Sequence, residues 1–490
     1  APAPGRTSGR RLPSMSEARR LLRNTGIIAV GGMATKLVQF FLLPLYTSVL
    51  STSEYGTVDY INTIALFLVP LVSLLMDEAL FRYLIDCRND SERRRAVTCA
   101  CAAMSAGCAV FAAGAVVAWI LLRPGNLVWV VALVVAQALL QMASAVLRGF
   151  GKTPAYALMS FIASAATIVL NVVFIAVFRW GVTGMLSATV LAQGGVALAS
   201  LVWERAWRYL DLSSFDAAYA ASMVRYAVPL IPNKVSWTIM NMVDRLIIMN
   251  VLGASAAGVY AVAYKFPNVM DQLYGFFYQS WKESSARALG GEGDEVAFYN
   301  AVYRMLRRFM ASVVLVMTAL MPLAYGLLVE GDYGEGMLYV PILLLATYYS
   351  NISGFYGGIF TAHRDTGIMG TTTAVSALLC FALCFLLIPT IGLWGASVAT
   401  LVATFTVNEY RLAKVRRHAD LDRDWRGRAL AVLALTAVFS SYYAYMFSKE
   451  PLAIAFCLVV AVLYSVAANY PIFLRVISGM RLRRASKQRR

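Results

Sequence analysis

Long apolar runs separated by short polar connectors dominate this chain. A run of roughly 20 residues crosses about 30 Å of hydrocarbon as a helix. The pattern places fourteen spans at about 24–50, 57–83, 96–122, 127–147, 155–178, 182–203, 224–251, 256–281, 305–329, 337–361, 367–388, 392–410, 429–447 and 452–474. The expected fold class is therefore an all-α polytopic membrane protein of about 14 transmembrane helices. Composition points the same way. Hydrophobic residues make up 60% and charged residues 14%, against about 25% charged in soluble domains.

The net charge of +17 invites a nucleic-acid reading until the charges are mapped. Of the 43 Lys and Arg, 36 fall in the termini and in alternate loops, while the opposite loops hold only Arg123, Arg179 and Lys449. That asymmetry is the positive-inside pattern, which puts both termini in the cytoplasm and the protein in the cell membrane, with an even number of spans. The basic excess is topological, with anionic lipid heads rather than nucleic acid as its partner. Four cations remain inside spans: Lys36, Lys234, Arg245 and Lys265.

The chain reads as doubled. LSTSEYGTVDY (50–60) and LGASAAGVYAVAY (252–264) align Gly56 with Gly258 at an offset of 202, and WGVTGMLSATV (180–190) aligns with IGLWGASVATL (391–401) at 211. An offset of six spans keeps both halves in one orientation, and such parallel repeats tend to bind substrate where they meet. The expected organisation is a disordered basic leader (1–23), an N-lobe (24–203) and an interlobe linker (204–223). A C-lobe (224–415), an appended helix pair with its preceding loop (416–474) and a basic tail (475–490) follow.

The stretch NMVDRLIIMN (241–250) sets charges where lipid core is expected. A cation at mid-span costs about 2.5–3.5 kcal/mol on insertion scales, so it faces a partner or a wet cavity. Lys234, Asn241 and Arg245 share one helical stripe, and Asp244 stands one position aside. Span 8 carries Lys265, Asn268, Asp271 and Gln272 beside Pro267. Two readings stay open: structural ion pairs between helices, or a cationic cavity for an anionic substrate group. Glu78 and Arg82, at the cytoplasmic end of span 2, are expected to pair at i,i+4 as a structural or gating tie. Asp59 and Glu54 read as solvated at the outer mouth, and the acidic loop 329–336 as a turn.

Enzyme readings find little support. His363 and His418 are the only histidines, at helix ends and away from any evident carboxylate cluster. No G-x-x-x-x-G-K-[ST] phosphate loop occurs. Cys380 and Cys384 share a helix face and read as packing residues. No cofactor or metal is implied.

The stretches LLRNTGIIAVGGMATKLVQFFLLPLYTSVLSTSEYGTVDYINTI, DEALFRYLID and DRLIIMNVLGASAAGVYAVAYK resemble the polysaccharide-exporter branch (Wzx-like oligosaccharide flippases) of the multidrug/oligosaccharidyl-lipid/polysaccharide exporter superfamily. The likeness runs through spans 1–12 in order. It implies a flippase that turns an undecaprenyl-pyrophosphate-linked oligosaccharide from inner to outer leaflet by alternating access. A cationic cavity between the lobes, typical of that branch, matches Lys36, Lys234, Arg245 and Lys265. Asn241, Asp244, Asn268, Asp271 and Gln272 would support it. Polysaccharide polymerase and glycosyltransferases are the protein partners this implies. The coupling ion, H+ or Na+, stays open. The alternative is a cation-coupled multidrug exporter of the same superfamily, whose acidic cavity the four basic residues oppose; an integral-membrane glycan enzyme ranks behind both.

Overall fold

The computed structural model describes residues 40, 42–123, 125–288, 294–363, 365, 367–421 and 424–488. Lys36 and the leader lie outside the described residues, as do the side chains of Asn241 and of positions 471–490. Every regular element among the described residues is helical. In chain order these are α1 (Leu43–Val49), α2 (Thr52–Val72), α3 (Met76–Asp86), α4 (Asp90–Leu122), α5 (Leu127–Gly149), α6 (Thr153–Asn171) and α7 (Gly181–Trp203). There follow α8 (Ala217–Ala227), α9 (Ile231–Val251), α10 (Ala254–Ala263), α11 (Lys265–Ala288), α12 (Glu295–Leu328) and α13 (Val340–Ala362). The series ends with α14 (Gly367–Ile391), α15 (Leu393–Val415), α16 (Trp425–Ser448) and α17 (Pro451–Gln488). Nine of these stretches are long and apolar enough to cross a membrane. The protein is multi-pass.

Helix ends follow local chemistry. Ser51 and Glu54 close a reciprocal capping box that starts α2, satisfying two N–H groups that would otherwise be orphaned. Pro229 sits in a short 3-10 turn (Val228–Leu230) and Pro232 in the first turn of α9, where a missing N–H costs nothing. Span 8 breaks at Tyr264, so Lys265 opens a new helix. Span 2 also breaks, at Ser73–Leu75, with Leu74 and Leu75 in the left-handed region.

Core packing divides the molecule. One core joins α9 to α17 and reaches back to Leu43, Tyr46, Leu50 and Tyr55. Others bind α3, α4, α5 and α8, α2, α5 and α7, and α5, α6 and α7. The two groups meet where α2 crosses α10. There a Cβ on Gly56 would fall 1.9 Å from the Ala254 carbonyl, and one on Gly258 1.9 Å from that of Thr52. Only glycine lets two backbones approach so closely. The loop read as a plain turn is instead a tie. Tyr333, buried, donates to the Leu50 carbonyl at 2.9 Å, and the Glu330 N–H donates to Thr47 at 2.9 Å. The Thr52 and Ser255 hydroxyls meet at 2.7 Å.

Candidate functional site at the meeting of the two groups

Adjacent residues on a helix point about 100° apart, and this explains Asp244 and Arg245. Asp244 is buried among α9 and α10, accepting from the Tyr260 hydroxyl and from the Arg245 backbone N–H, each at 2.8 Å. Arg245 turns toward α2. Its Nη1 donates to Asp59 at 3.3 Å, and its guanidinium lies 4.8 Å from the centre of the Tyr264 ring. Both members of the pair are largely buried, at 17% and 16% exposure. A charge removed from water is tolerable only when paired in this way.

Asp59 is therefore not a solvated outer-mouth residue. It is the counter-ion of Arg245 across the meeting line, and Arg245 is not a free cation in this state. The capping box at Ser51 could have shown this. It starts the helix at Thr52, which carries Asp59 roughly 10 Å inward.

Lys265 differs. Its Nζ lies 5.9 Å from the Tyr55 ring centre, it makes no ion pair among the described residues, and Asp59 and Arg245 are within electrostatic range. Lys234 is exposed and also makes no ion pair among the described residues. Asp77, half-buried with Oδ1 lacking a hydrogen bond, lies within its electrostatic range. Asn268 and Asp271 are half-buried on α11, and Asp271 faces Asn351 of α13. Gln272 is half-buried and partnered.

Other expectations need correction. Arg82 pairs with Asp86 at 2.7 Å rather than with Glu78; both choices are i,i+4 neighbours, and the structure selects the C-terminal one. His363 and His418 have carboxylates after all. His363 meets Glu295 at 3.3 Å, His418 meets Asp365 at 3.0 Å, and the rings stand 4.6 Å apart. Long sequence separation hid both pairings. Arg411, assigned to a loop by its charge, lies buried within α15, where the Thr372 and Thr373 hydroxyls accept from it at 2.8 and 3.1 Å. All seven cysteines are free.

Residues 21–282, more than half of the chain, match the family described as Polysaccharide biosynthesis protein. The chain belongs to this family. Solved structures of the same fold include the lipid II flippase MurJ in an inward closed conformation. It is 12% identical, with a TM-score of 0.65, covering 91% of this chain and 99% of that one. An inward-facing multidrug resistance MATE transporter of the MOP superfamily is 14% identical, with a TM-score of 0.60 and coverage of 80% and 100%. A MOP superfamily transporter from Pyrococcus furiosus, whose binding pocket is described as reversed in polarity, is 15% identical, with a TM-score of 0.53 and coverage of 81% and 94%. No curated protein matches the chain. At these identities the structures establish the fold alone.

Proposed function

We propose that this polysaccharide biosynthesis protein is a flippase. It moves an undecaprenyl-pyrophosphate-linked oligosaccharide from the inner to the outer leaflet of the cell membrane by alternating access, with both termini in the cytoplasm. The observation that carries the reading is a pair of lysines, Lys234 on the helix of Arg245 and Lys265 within electrostatic range of the Arg245–Asp59 bridge. Neither Lys234 nor Lys265 makes an ion pair among the described residues, so each has a charge to offer an anion. A phosphate oxygen bonded to an ammonium contributes about 1.5–3 kcal/mol. Lys36 would add to the set.

The contacts between the two groups, Gly56 on Gly258, Thr52 on Ser255 and Tyr333 on Leu50, lie toward the end that the charge pattern assigns to the outside. The substrate thus enters from the cytoplasm. Outward opening separates α2 from α9 and so must break Arg245 from Asp59. An anion already held by Lys234 and Lys265 offers Arg245 a replacement partner, and opening then leaves no buried charge unpaired. A loaded protein opens more readily than an empty one, which is what a flippase requires.

Lys234→Ala and Lys265→Ala should each abolish glycan export in a complementation assay while leaving membrane levels unchanged. Normal export in both variants would falsify the phosphate-binding role. One observation favours a cation-coupled multidrug exporter: Asp59 and Asp244 formally balance Arg245 and Lys265. A drug-resistance assay on the same strains separates the two, since an exporter of cations confers resistance and loses it in Asp59→Asn.

A further inference from the structure

A cavity of about 450 Å³ lies at the arginine-rich end between the α3–α4 connection and α8. That volume is within the ~300–1,000 Å³ of small-ligand sites. Its walls are aromatic. Tyr83 stands edge-on to Tyr219, with centroids 5.4 Å apart at 89°, and to Tyr226, 6.1 Å apart at 72°. The Tyr83 hydroxyl is held by Ser222 at 3.3 Å, and Arg95 stacks on Tyr219 at 4.6 Å while that ring still lines the cavity. The rim is a mixture of charged groups. Arg82 pairs with Asp86 at 2.7 Å, and Glu92 accepts from the Arg88 N–H at 2.8 Å and the Asn89 amide at 3.0 Å.

Two acids against one cation make this a poor site for phosphate. Ring faces carry negative charge density and suit the apolar, C–H-bearing face of a pyranose. Carboxylates and a guanidinium suit its hydroxyls, which both donate and accept. We infer that this cavity is a saccharide subsite that holds a neutral pyranose of the lipid-linked glycan, an inference that rests on the flippase reading. Its position fits. Tyr226 stands eight residues before Lys234 along α8 and α9, roughly 12 Å at about 1.5 Å per residue. A glycan whose pyrophosphate lies at Lys234 can lay a sugar against Tyr226 and Tyr219 before the transporter closes around it. Recognition of sugar and of phosphate would then be divided between two places on one continuous path.

Cys87 lines the cavity and reports its occupancy. Full-length protein in nanodiscs is alkylated with a water-soluble maleimide, with Cys87→Ser as background. Burial pushes the Cys87 thiol up, so the reaction is run at mildly alkaline pH. The probes are free glucose, galactose and N-acetylglucosamine, undecaprenyl pyrophosphate without sugar, and tetramethylammonium. At least one neutral sugar should slow alkylation several-fold in the unaltered protein, in Tyr219→Phe and in Tyr226→Phe, which keep the ring face. The protection should vanish in Tyr219→Leu and Tyr226→Leu. Absence of protection by all three sugars overturns the subsite. Stronger protection by tetramethylammonium, the ligand of an aromatic cation cage, or by the sugar-free lipid also overturns it. Because the free sugars carry no phosphate, this result is independent of the lysines. Lost export in Lys234→Ala without sugar protection sinks the subsite alone; sugar protection with normal export in both lysine variants sinks the phosphate role alone.

Discussion

At the scale of single residues, the two glycines at the α2–α10 crossing are the most constrained positions. A Cβ at either site would overlap a carbonyl oxygen of the other helix, and neither backbone can yield without moving a helix. Gly56→Ala and Gly258→Ala should each cost about 1–3 kcal/mol, the usual range for overpacking. Gly275, with open space where its Cβ would be, is the control. Melting temperatures of the three purified variants test this, and a Gly258→Ala protein as stable as Gly275→Ala would contradict the contact. These glycines were legible in the sequence as a repeat match at an offset of 202, though not as partners of each other. The geometry is reciprocal: Gly56 meets Ala254, and Gly258 meets Thr52, the residue that the repeat aligns with Ala254. Asp59 was misread because its span was started at Thr57, beyond the capping box that begins the helix.

At the scale of helices, the proline-marked breaks were readable and the others were not. Pro267 signalled the interruption of span 8, because a proline has no N–H to donate to the carbonyl four residues back and is tolerated in the first turn of a helix, here the one opened by Lys265. The break in span 2 lies after Pro70, whereas a proline disturbs the turn before it, so Pro70 does not mark it. Leu74 and Leu75 adopt φ of 53° and 50°, a conformation costing a non-glycine residue about 1–3 kcal/mol, and the surrounding packing imposes it. The start of α16 shows how a polar contact fixes a helix. Asp424 caps it through the Gly427 N–H at 3.2 Å and pairs with Arg307 at 2.7 Å and Arg308 at 3.1 Å. Burial alone would raise the Asp424 carboxyl, but the Arg308 hydrogen bond, the cap and the Arg307 charge hold it below the ordinary range. A depressed carboxyl stabilises the fold above its unfolded value, about 3.9, and loses that contribution as pH falls through the folded value. Asp424→Ala removes both cap and counter-ion and leaves Arg307 buried without this partner. The cost should be about 3–5 kcal/mol, and Asp424→Asn should recover the capping share of about 1 kcal/mol. The melting temperature of Asp424→Ala should depend less on pH below about 4 than that of the unaltered protein. Parallel pH profiles would dismiss the assignment.

At the scale of the whole molecule, the ties between the two groups span 186 to 283 residues of sequence and concentrate along one line. Glycine contact, hydroxyl pair and ion pair all join α2 or α1 to the second group. The alternating access proposed above requires that they be released together. The Thr52 and Ser255 hydroxyls, 2.7 Å apart, offer the means to forbid that release. Cysteines at both positions would turn their sulfurs toward each other as the hydroxyls do, which is the arrangement a disulfide needs. Thr52→Cys/Ser255→Cys should therefore cross-link on mild oxidation, and the oxidised protein should stop exporting glycan while remaining folded and in the membrane. Reduction should restore export, and each single cysteine variant should be insensitive to oxidant. Full export by the cross-linked protein would mean that the α2–α10 crossing is a fixed pivot. The Arg245–Asp59 bridge, about two turns from Thr52 and one from Gly56 along α2, would then open without it, and the moving line would have to be sought between α9 and the first group.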